Sequence, residues 1–151
     1  VIGQHVDSPT PQIVAQELGP YFLDWGTDNR SVCVRIPAER GKATRVESRL
    51  GDGGASAYLA SAVHLFAGVD GVVRGLDPGP PTVAVYEPPV ARETVPFSLA
   101  EALDVLEADA FLRERLGEQF VQAFTAIKRN EWRRFSLAVT DWELREYAEA
   151  L

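Results

Sequence analysis

The order of apolar and polar positions divides the chain into a strand-forming part and a helix-forming part. Aromatic and aliphatic residues at 21–25 predict a first strand, which ends in the turn-forming cluster at 26–29. Apolar and polar residues then alternate along 31–37 and along 44–50, as in strands with one buried face. The polar, glycine-containing connection between these two segments predicts a hairpin. We therefore expect a set of antiparallel strands over about residues 21–50.

The most apolar helix of the chain follows this strand region. It is predicted to run from Ala57 to about Val72, with Ser56 as its N-cap. Its small residues favour close packing, so we expect it to be the central helix of the core. The predicted buried face consists of Leu59, Val63, Phe66 and Val69.

Further helices are predicted in the C-terminal part of the chain. Two of them begin with a capping-box pattern, in which a Ser or Thr N-cap precedes Glu by three residues: Ser98 with Glu101, and Thr140 with Glu143. Between them, a short helix is predicted at 108–115 and a longer one at 117–135. The expected apolar stripes are Leu99, Leu103 and Leu106 in the first helix and Phe120, Phe124 and Ile127 in the long one. The fold class is therefore predicted to be α+β, with four to five helices packed on the strands.

The segment at 76–91 separates the first helix from the later ones and contains five prolines. Such a density of prolines predicts a long loop around an extended piece at 82–86. We expect no domain boundary within it, because the helices that follow are too few to form a separate core.

The charge and the content of cysteine and histidine narrow the possible functions. The chain has 15 Lys and Arg against 22 Asp and Glu, and its net charge of −7 argues against binding to nucleic acid or to an anionic membrane. The single cysteine, Cys33, excludes an internal disulfide, and the only histidines, His5 and His64, do not supply a zinc cluster. We expect a reducing, cytoplasmic setting, with Cys33 as a small packed residue and not a nucleophile.

Arg45, Glu47 and Arg49 share one face of the second strand of the predicted hairpin. One interpretation is a solvated sheet face with cross-strand charge pairs. The other is a site for phosphoryl transfer: a carboxylate between two guanidinium groups stays ionised and can hold a divalent metal, while the arginines bind phosphate oxygens. Arg30 and Arg35, just upstream, would add two cations to such a site. The pattern by itself leaves both interpretations open.

The order of short motifs resembles the C-terminal catalytic segment of glutamine synthetase. Asn-Arg-Ser at 29–31, Arg-Ile-Pro at 35–37 and Arg-x-Glu-x-Arg at 45–49 occur in that family in the same order. Further matches are Ala-Gly-Val-Asp-Gly-Val at 67–72, Asp-Pro-Gly at 77–79 and helical segments at 98–109, 127–132 and 140–147. The resemblance begins at about residue 21, which divides the chain into a poorly matched segment, 1–20, and a C-terminal portion of the catalytic domain, 21–151. The strands would then belong to the larger sheet of that domain.

The resemblance implies a role for each of five residues. Glu47 would be a ligand of a catalytic metal, Mg or Mn, that bridges the nucleotide phosphates. Arg30 and Arg45 would contact the phosphoryl groups of ATP, and Arg35 would support the same end of the nucleotide. Arg49, which with Arg30 forms the catalytic pair, would bind the substrate carboxylate and help to hold the intermediate. The implied reaction joins glutamate to ammonia or an organic amine through γ-glutamyl phosphate, in a full-length protein that is a homo-oligomer.

Several departures from the family pattern shape these expectations. Ser56 and Ala57 stand where the family has Asn-Pro, and Glu17 is the only candidate for the glutamate of the substrate flap. The chain contains no methionine, so we expect that Val1 is not a natural start. The remaining acidic metal ligands of the family have no match, and we therefore predict that this chain alone is inactive.

Two hypotheses follow for the function. The first is the C-terminal catalytic piece of an ATP-dependent glutamine synthetase-like ligase, with a γ-glutamyl-amine ligase as a variant. The second is a degenerate, non-catalytic remnant that associates through its apolar helices as an interaction or structural module. An exposed edge of the predicted sheet would favour association in either case.

Overall fold

The computed structural model describes Pro20 and residues 22–83 and 93–148. The strands lie at Trp25–Thr27 (β1), Val34–Ile36 (β2) and Glu47–Ser48 (β3), with a 3₁₀ turn at Gly41–Ala43. The helices lie at Ala57–Arg74 (α1), Leu99–Ala108 (α2), Ala110–Leu116 (α3), Glu118–Ser136 (α4) and Asp141–Tyr147 (α5). These elements confirm the α+β class and the predicted number of helices.

The three strands form one mixed sheet in the order β1-β2-β3. β2 and β3 pair antiparallel, with Val34 opposite Ser48 and Arg35 opposite Glu47, as the predicted hairpin requires. β1 and β2 pair parallel, with Trp25 opposite Val34, so the prediction of antiparallel strands is wrong for this pair. The reason is the length of β1: its three residues span only about 10 Å, so the turn between the two strands can return the chain to the start of β1.

The first strand is also displaced along the sequence. It begins at Trp25, the last residue of the segment predicted at 21–25, and it ends at Thr27. Upstream, Phe22 forms an isolated antiparallel bridge with Thr94 outside the named strands. The backbone before β1 therefore pairs with the segment that follows the proline-rich loop, and the apolar residues there do not extend the strand.

The ends of α1 lie close to where the local signals place them. Ser56 Oγ accepts a hydrogen bond from the Leu59 amide at 3.5 Å, and Gly75 ends the helix in the left-handed conformation. No residue of α1 is buried by the described residues, and Tyr58 and Val72 are 90% and 83% exposed. The predicted face is half-buried at Leu59, Val63 and Phe66 and exposed at Val69. The prediction of a central core helix is therefore wrong here, because periodicity identifies a face suited to burial but not the partner that would bury it.

The main helical core lies between α2 and α4. The buried residues are Leu99, Ala102, Leu103 and Leu106 on α2 and Val121 and Thr125 on α4. The leucine stripe predicted for α2 is thus confirmed. The stripe predicted for α4 is wrong, since Phe120 and Ile127 are exposed. The pattern misses Thr125 because it is polar, but its hydroxyl donates to the Gln122 carbonyl at 3.2 Å and can therefore be buried.

The predicted N-caps of the later helices are confirmed. Ser98 Oγ accepts a hydrogen bond from the Glu101 amide at 3.2 Å. Thr140 and Glu143 form a reciprocal capping box at the start of α5, in which each side chain binds the backbone amide of the other residue. The sequence alone was therefore sufficient to predict these N-caps.

The proline-rich loop is described only up to residue 83, so most of the extended piece predicted at 82–86 lies outside the described residues. The small core of the sheet consists of Val32, Cys33 and Pro37, all buried. Over the ranges 22–83 and 93–148, no helix is both long and apolar enough to cross a membrane.

Candidate active-site segment

A cross-strand pair of opposite charges lies at the centre of the candidate site. Arg35 on β2 stands opposite Glu47 on β3, and its Nη1 donates to Glu47 Oε2 at 2.8 Å. The other carboxylate oxygen, Oε1, accepts from Arg45 Nε, also at 2.8 Å. Glu47 is therefore held between two guanidinium groups, although one of them is Arg35 on the neighbouring strand and not Arg49.

The two arginines favour the ionised form of Glu47. The hydrogen bond from Arg35 is the largest cause that holds the pKa of Glu47 below its ordinary value, and the bond from Arg45 adds to it against the opposing effect of burial. The pKa of Arg35 is raised in turn, first by its bond to Asp28 and then by its bond to Glu47. The pair is therefore fully charged at neutral pH, as expected from the sequence.

Asp28 is the second acid that binds Arg35, and the turn after β1 places it there. Its φ of +52° lies in the left-handed region, which is uncommon for residues with a side chain but more accessible to Asp than to most others. The Asp28 amide donates to the Ile36 carbonyl at 2.9 Å, and its carboxylate forms an ion pair with Arg35. The Arg35 side chain is only 13% exposed, so this guanidinium group is largely fixed between the two acids.

Arg49 and Arg30 stand apart from this ion-pair cluster. Arg49 is half-buried, and its Nη1 is buried without a hydrogen-bond acceptor among the described residues. The same holds for Nε of Arg35. Arg30 is exposed, and in the described part of the chain its side chain forms no hydrogen bond or ion pair. Three of the five predicted site residues are thus joined by direct contacts, while two arginines keep donors available.

These groups suit an anion better than they suit a metal. Guanidinium groups with unused N–H donors match the oxygens of phosphate and carboxylate. By contrast, no group of three or more His, Cys, Asp or Glu residues that could hold a metal ion occurs within 22–83 and 93–148. Both oxygens of Glu47 are already bound by arginines. His64 is exposed on α1, where its Nδ1 lies 2.6 Å from the Ala60 carbonyl oxygen.

A polar network behind the arginines was not recognised in the sequence. It consists of Asp24, Asn29 and Thr82, and it joins the proline-rich segment to the start of the sheet. Asn29 is 5% exposed, which is unusual for an amide side chain unless its hydrogen bonds are satisfied. The available signal was Asp24 itself, a carboxylate within an otherwise apolar predicted strand.

Gly26 makes the close approach of that segment possible. A Cβ atom at this position would lie 2.7 Å from the Thr82 carbonyl oxygen, which is backbone and cannot move freely. The Thr82 amide donates to the Trp25 carbonyl at 2.7 Å, and Trp25 Nε1 donates to the Gly79 carbonyl at 3.0 Å. The proline-rich segment therefore lies directly against β1.

Cys33 stands directly before β2 as a buried free thiol. It is buried, and desolvation raises the pKa of its thiol to about 11, with the nearby charge of Asp24 adding to the shift. A thiol with such a pKa is almost entirely protonated at neutral pH. The prediction that Cys33 is a small packed residue is confirmed.

Comparison with known proteins shows which family the chain is similar to. The family described as "Glutamine synthetase, catalytic domain" matches residues 11–147. Glutamine synthetase of Methanococcus maripaludis is 42% identical over 135 residues, which cover 85% of this chain and 30% of the relative. Glutamine synthetase of Thermotoga maritima is 38% identical over 135 residues, which cover 85% of this chain and 31% of the relative.

A solved structure described as "Apo GmaS without ligand" is similar in three dimensions, with a TM-score of 0.72 and 37% identity. The match covers 83% of this chain and 30% of that chain, so the present chain spans about a third of the length of the proteins it resembles. Because the family match covers most of the sequence and the identities exceed 30%, the chain belongs to the glutamine synthetase family of enzymes, in the C-terminal part of the catalytic domain.

Proposed function

We propose that this chain is the C-terminal catalytic segment of an ATP-dependent ligase that joins glutamate to ammonia or another amine. The observation that carries the proposal is a group of arginines: Arg35 and Arg45 hold the Glu47 carboxylate, and the exposed Arg30 side chain forms no hydrogen bond or ion pair within the described residues. An exposed guanidinium group without an acceptor can bind the oxygens of an anion. Phosphate and carboxylate groups are the anions that such a ligase handles.

The proposed roles of the five residues are those that the family resemblance implies. Arg30 and Arg45 contact the phosphoryl groups of ATP, and Arg35 supports the same end of the nucleotide while it holds Glu47 in place. Arg49 binds the carboxylate of glutamate and helps to hold γ-glutamyl phosphate. Fixed cations of this kind neutralise the charge that develops on the transferred phosphoryl group.

The described arginines supply donors suited to the phosphates of ATP, whereas the described residues do not supply enough ligands for a divalent metal. The arginines supply donors for phosphate, but a single carboxylate, already bound by two arginines, is an incomplete site for Mg or Mn. Within the proposal, Glu47 contributes one ligand, and the others come from parts of the protein beyond the described residues.

The proposal is tested by replacing Glu47 in the full-length protein. Glu47→Gln keeps the size of the side chain but removes its charge, so we expect phosphate release with ATP, Mg and glutamate to fall about 100-fold or more. The measurement is phosphate release against a panel of amines that includes ammonia, which also identifies the acceptor.

Glu39→Gln is the matched control, because Glu39 is exposed and lies 3.7 Å from the same Arg45 without touching the pair at the centre. Its turnover should stay close to that of the unchanged protein. If Glu47→Gln also retains the full rate, the assignment of Glu47 as a metal ligand is wrong.

The alternative, a non-catalytic interaction module, is favoured by the exposed apolar surface of the helices. Tyr58, Val72 and Val73 on α1 and Trp142 on α5 are all exposed. Exposed apolar surface of this kind is typical of a face that contacts another protein or another part of the same protein. An upstream reading frame without acidic metal ligands, together with no turnover by the full-length protein, would support this alternative. A homo-oligomeric state and a cytoplasmic location remain predictions.

A further inference from the structure

The turn at 28–33, which presents Arg30, is fixed at its start by Asn29. The side-chain oxygen Oδ1 of Asn29 accepts hydrogen bonds from the Ser31 amide at 2.9 Å and from Ser31 Oγ at 2.7 Å. Its Nδ2 donates to the Thr82 carbonyl at 3.1 Å. The amide side chain therefore closes the turn on itself and ties it to a residue 53 positions away.

The end of the same turn is fixed by Asp24. Its Oδ1 accepts from the Cys33 amide at 3.0 Å, and its backbone carbonyl accepts from the Val34 amide at 3.0 Å. Arg30 lies between Asn29 and Cys33, so the residues on both sides of it have fixed positions. The Arg30 side chain is exposed between them.

Thr82 connects the two ends of the turn. Its hydroxyl donates to Asp24 Oδ2 at 3.0 Å, while its carbonyl accepts from Asn29. Its amide donates to the Trp25 carbonyl on β1. The backbone hydrogen bonds hold Thr82 against the sheet. Among these contacts, the bond to the Asp24 side chain comes from the Thr82 hydroxyl.

We propose that Asp24 and Thr82 are positioning residues for Arg30. They do not touch the nucleotide; they act by fixing the turn so that the Arg30 guanidinium is presented to the phosphates in one orientation. This inference rests on the proposed function, in which Arg30 binds ATP. A displacement of a charged group by about 1 Å is enough to weaken its contribution strongly, which makes such fixation consequential.

The test is a pair of substitutions at Thr82 in the full-length protein. Thr82→Val keeps the shape of the side chain and the backbone bonds and removes only the hydroxyl. We expect it to raise KM for ATP roughly five- to tenfold and to leave KM for glutamate unchanged. Thr82→Ser restores the hydroxyl and should return KM for ATP to near its original value. Thr27→Val, at an exposed threonine of β1, is the control and should change neither constant.

A double-substitution cycle separates positioning from general damage. If Thr82 acts through Arg30, Thr82→Val has no further effect on KM for ATP once Arg30 is replaced by Ala. If the fold-changes in KM for ATP caused by the two single substitutions multiply in the double variant, the inference is overturned. So would an equal rise in KM for both substrates, or a failure of Thr82→Ser to restore the value.

Amide hydrogen exchange gives a readout that does not require activity. Thr82→Val should speed exchange at Ser31 and Cys33 and leave exchange in α2 and α4 unchanged. Unchanged exchange in the turn would overturn the inference whatever the kinetics. A full-length protein that releases no phosphate with any amine contradicts the proposed function; an active protein with a Thr82→Val variant of normal KM contradicts only the positioning role.

Discussion

At the scale of single residues, hydrogen-bond partners decide what each side chain can do. Glu47 and Arg35 are neighbours across two strands, and each changes the titration of the other in the direction that favours charge. Cys33 shows the opposite case, since burial next to Asp24 favours its uncharged form. The same small sheet therefore contains an ion pair and an inert thiol within a few residues.

We predict that Cys33 resists thiol reagents in the native protein. Its pKa of about 11, against an ordinary value of 9.0, lowers the thiolate fraction at pH 8 by about 100-fold, and burial limits access further. The folded-state pKa of Cys33 is higher than the value of 9.0 expected in the unfolded chain. The free energy of unfolding therefore keeps the contribution of the neutral thiol below pH 9.0 and loses it as the pH rises toward the folded-state pKa. The measurement is the rate of modification at pH 8 before and after unfolding in guanidinium chloride. Equal rates in the two states would contradict the assignment.

At the scale of elements, local signals located the helices, but they did not determine which faces are buried. Ser98 and Thr140 were recognisable as caps because capping depends on residues three positions apart. The burial of α1 was predicted wrongly because it depends on partners distant in sequence. The parallel pairing of β1 and β2 escaped prediction because β1 has only three residues, whereas the apolar pattern predicted a strand over 21–25.

We predict that the same loss of a cap has different consequences in α2 and α5. Ser98→Ala removes the acceptor for the Glu101 amide and should lower the free energy of unfolding by about 1 kcal/mol, because α2 carries four buried residues. Thr140→Ala should instead speed local amide exchange in α5 with little change in global stability, since none of the described residues of α5 is buried. Urea unfolding and hydrogen exchange measure the two effects. An equal loss of global stability in both variants would be evidence against this difference.

At the scale of the whole molecule, the family and the arginine-rich segment were both recognisable from the sequence. Motifs such as Arg45-x-Glu47-x-Arg49 were recognisable because their residues lie within a few consecutive positions. The network of Asp24, Asn29 and Thr82 was not recognisable, because Thr82 lies more than fifty residues from the other two and the three carry no periodic pattern.

We predict that the isolated chain neither ligates glutamate nor binds ATP tightly. Its described residues provide arginine donors but no group of acids for a metal, so the charge of the nucleotide would be only partly neutralised. The exposed faces of α1 should also cause the chain to associate at high concentration. Phosphate release, nucleotide titration and size-exclusion chromatography measure these properties, with the full-length protein as the reference. Turnover by the isolated chain would refute the prediction.

The turn between β1 and β2 also constrains how the sequence can vary. Because Asn29 and Cys33 are both tied to fixed partners, the number of residues between Arg30 and Arg35 sets the register of β2 against β1. One inserted residue would move every side chain of β2 to the opposite face of the sheet and would separate Arg35 from Glu47. The segment between these two arginines should therefore tolerate substitutions more readily than insertions or deletions.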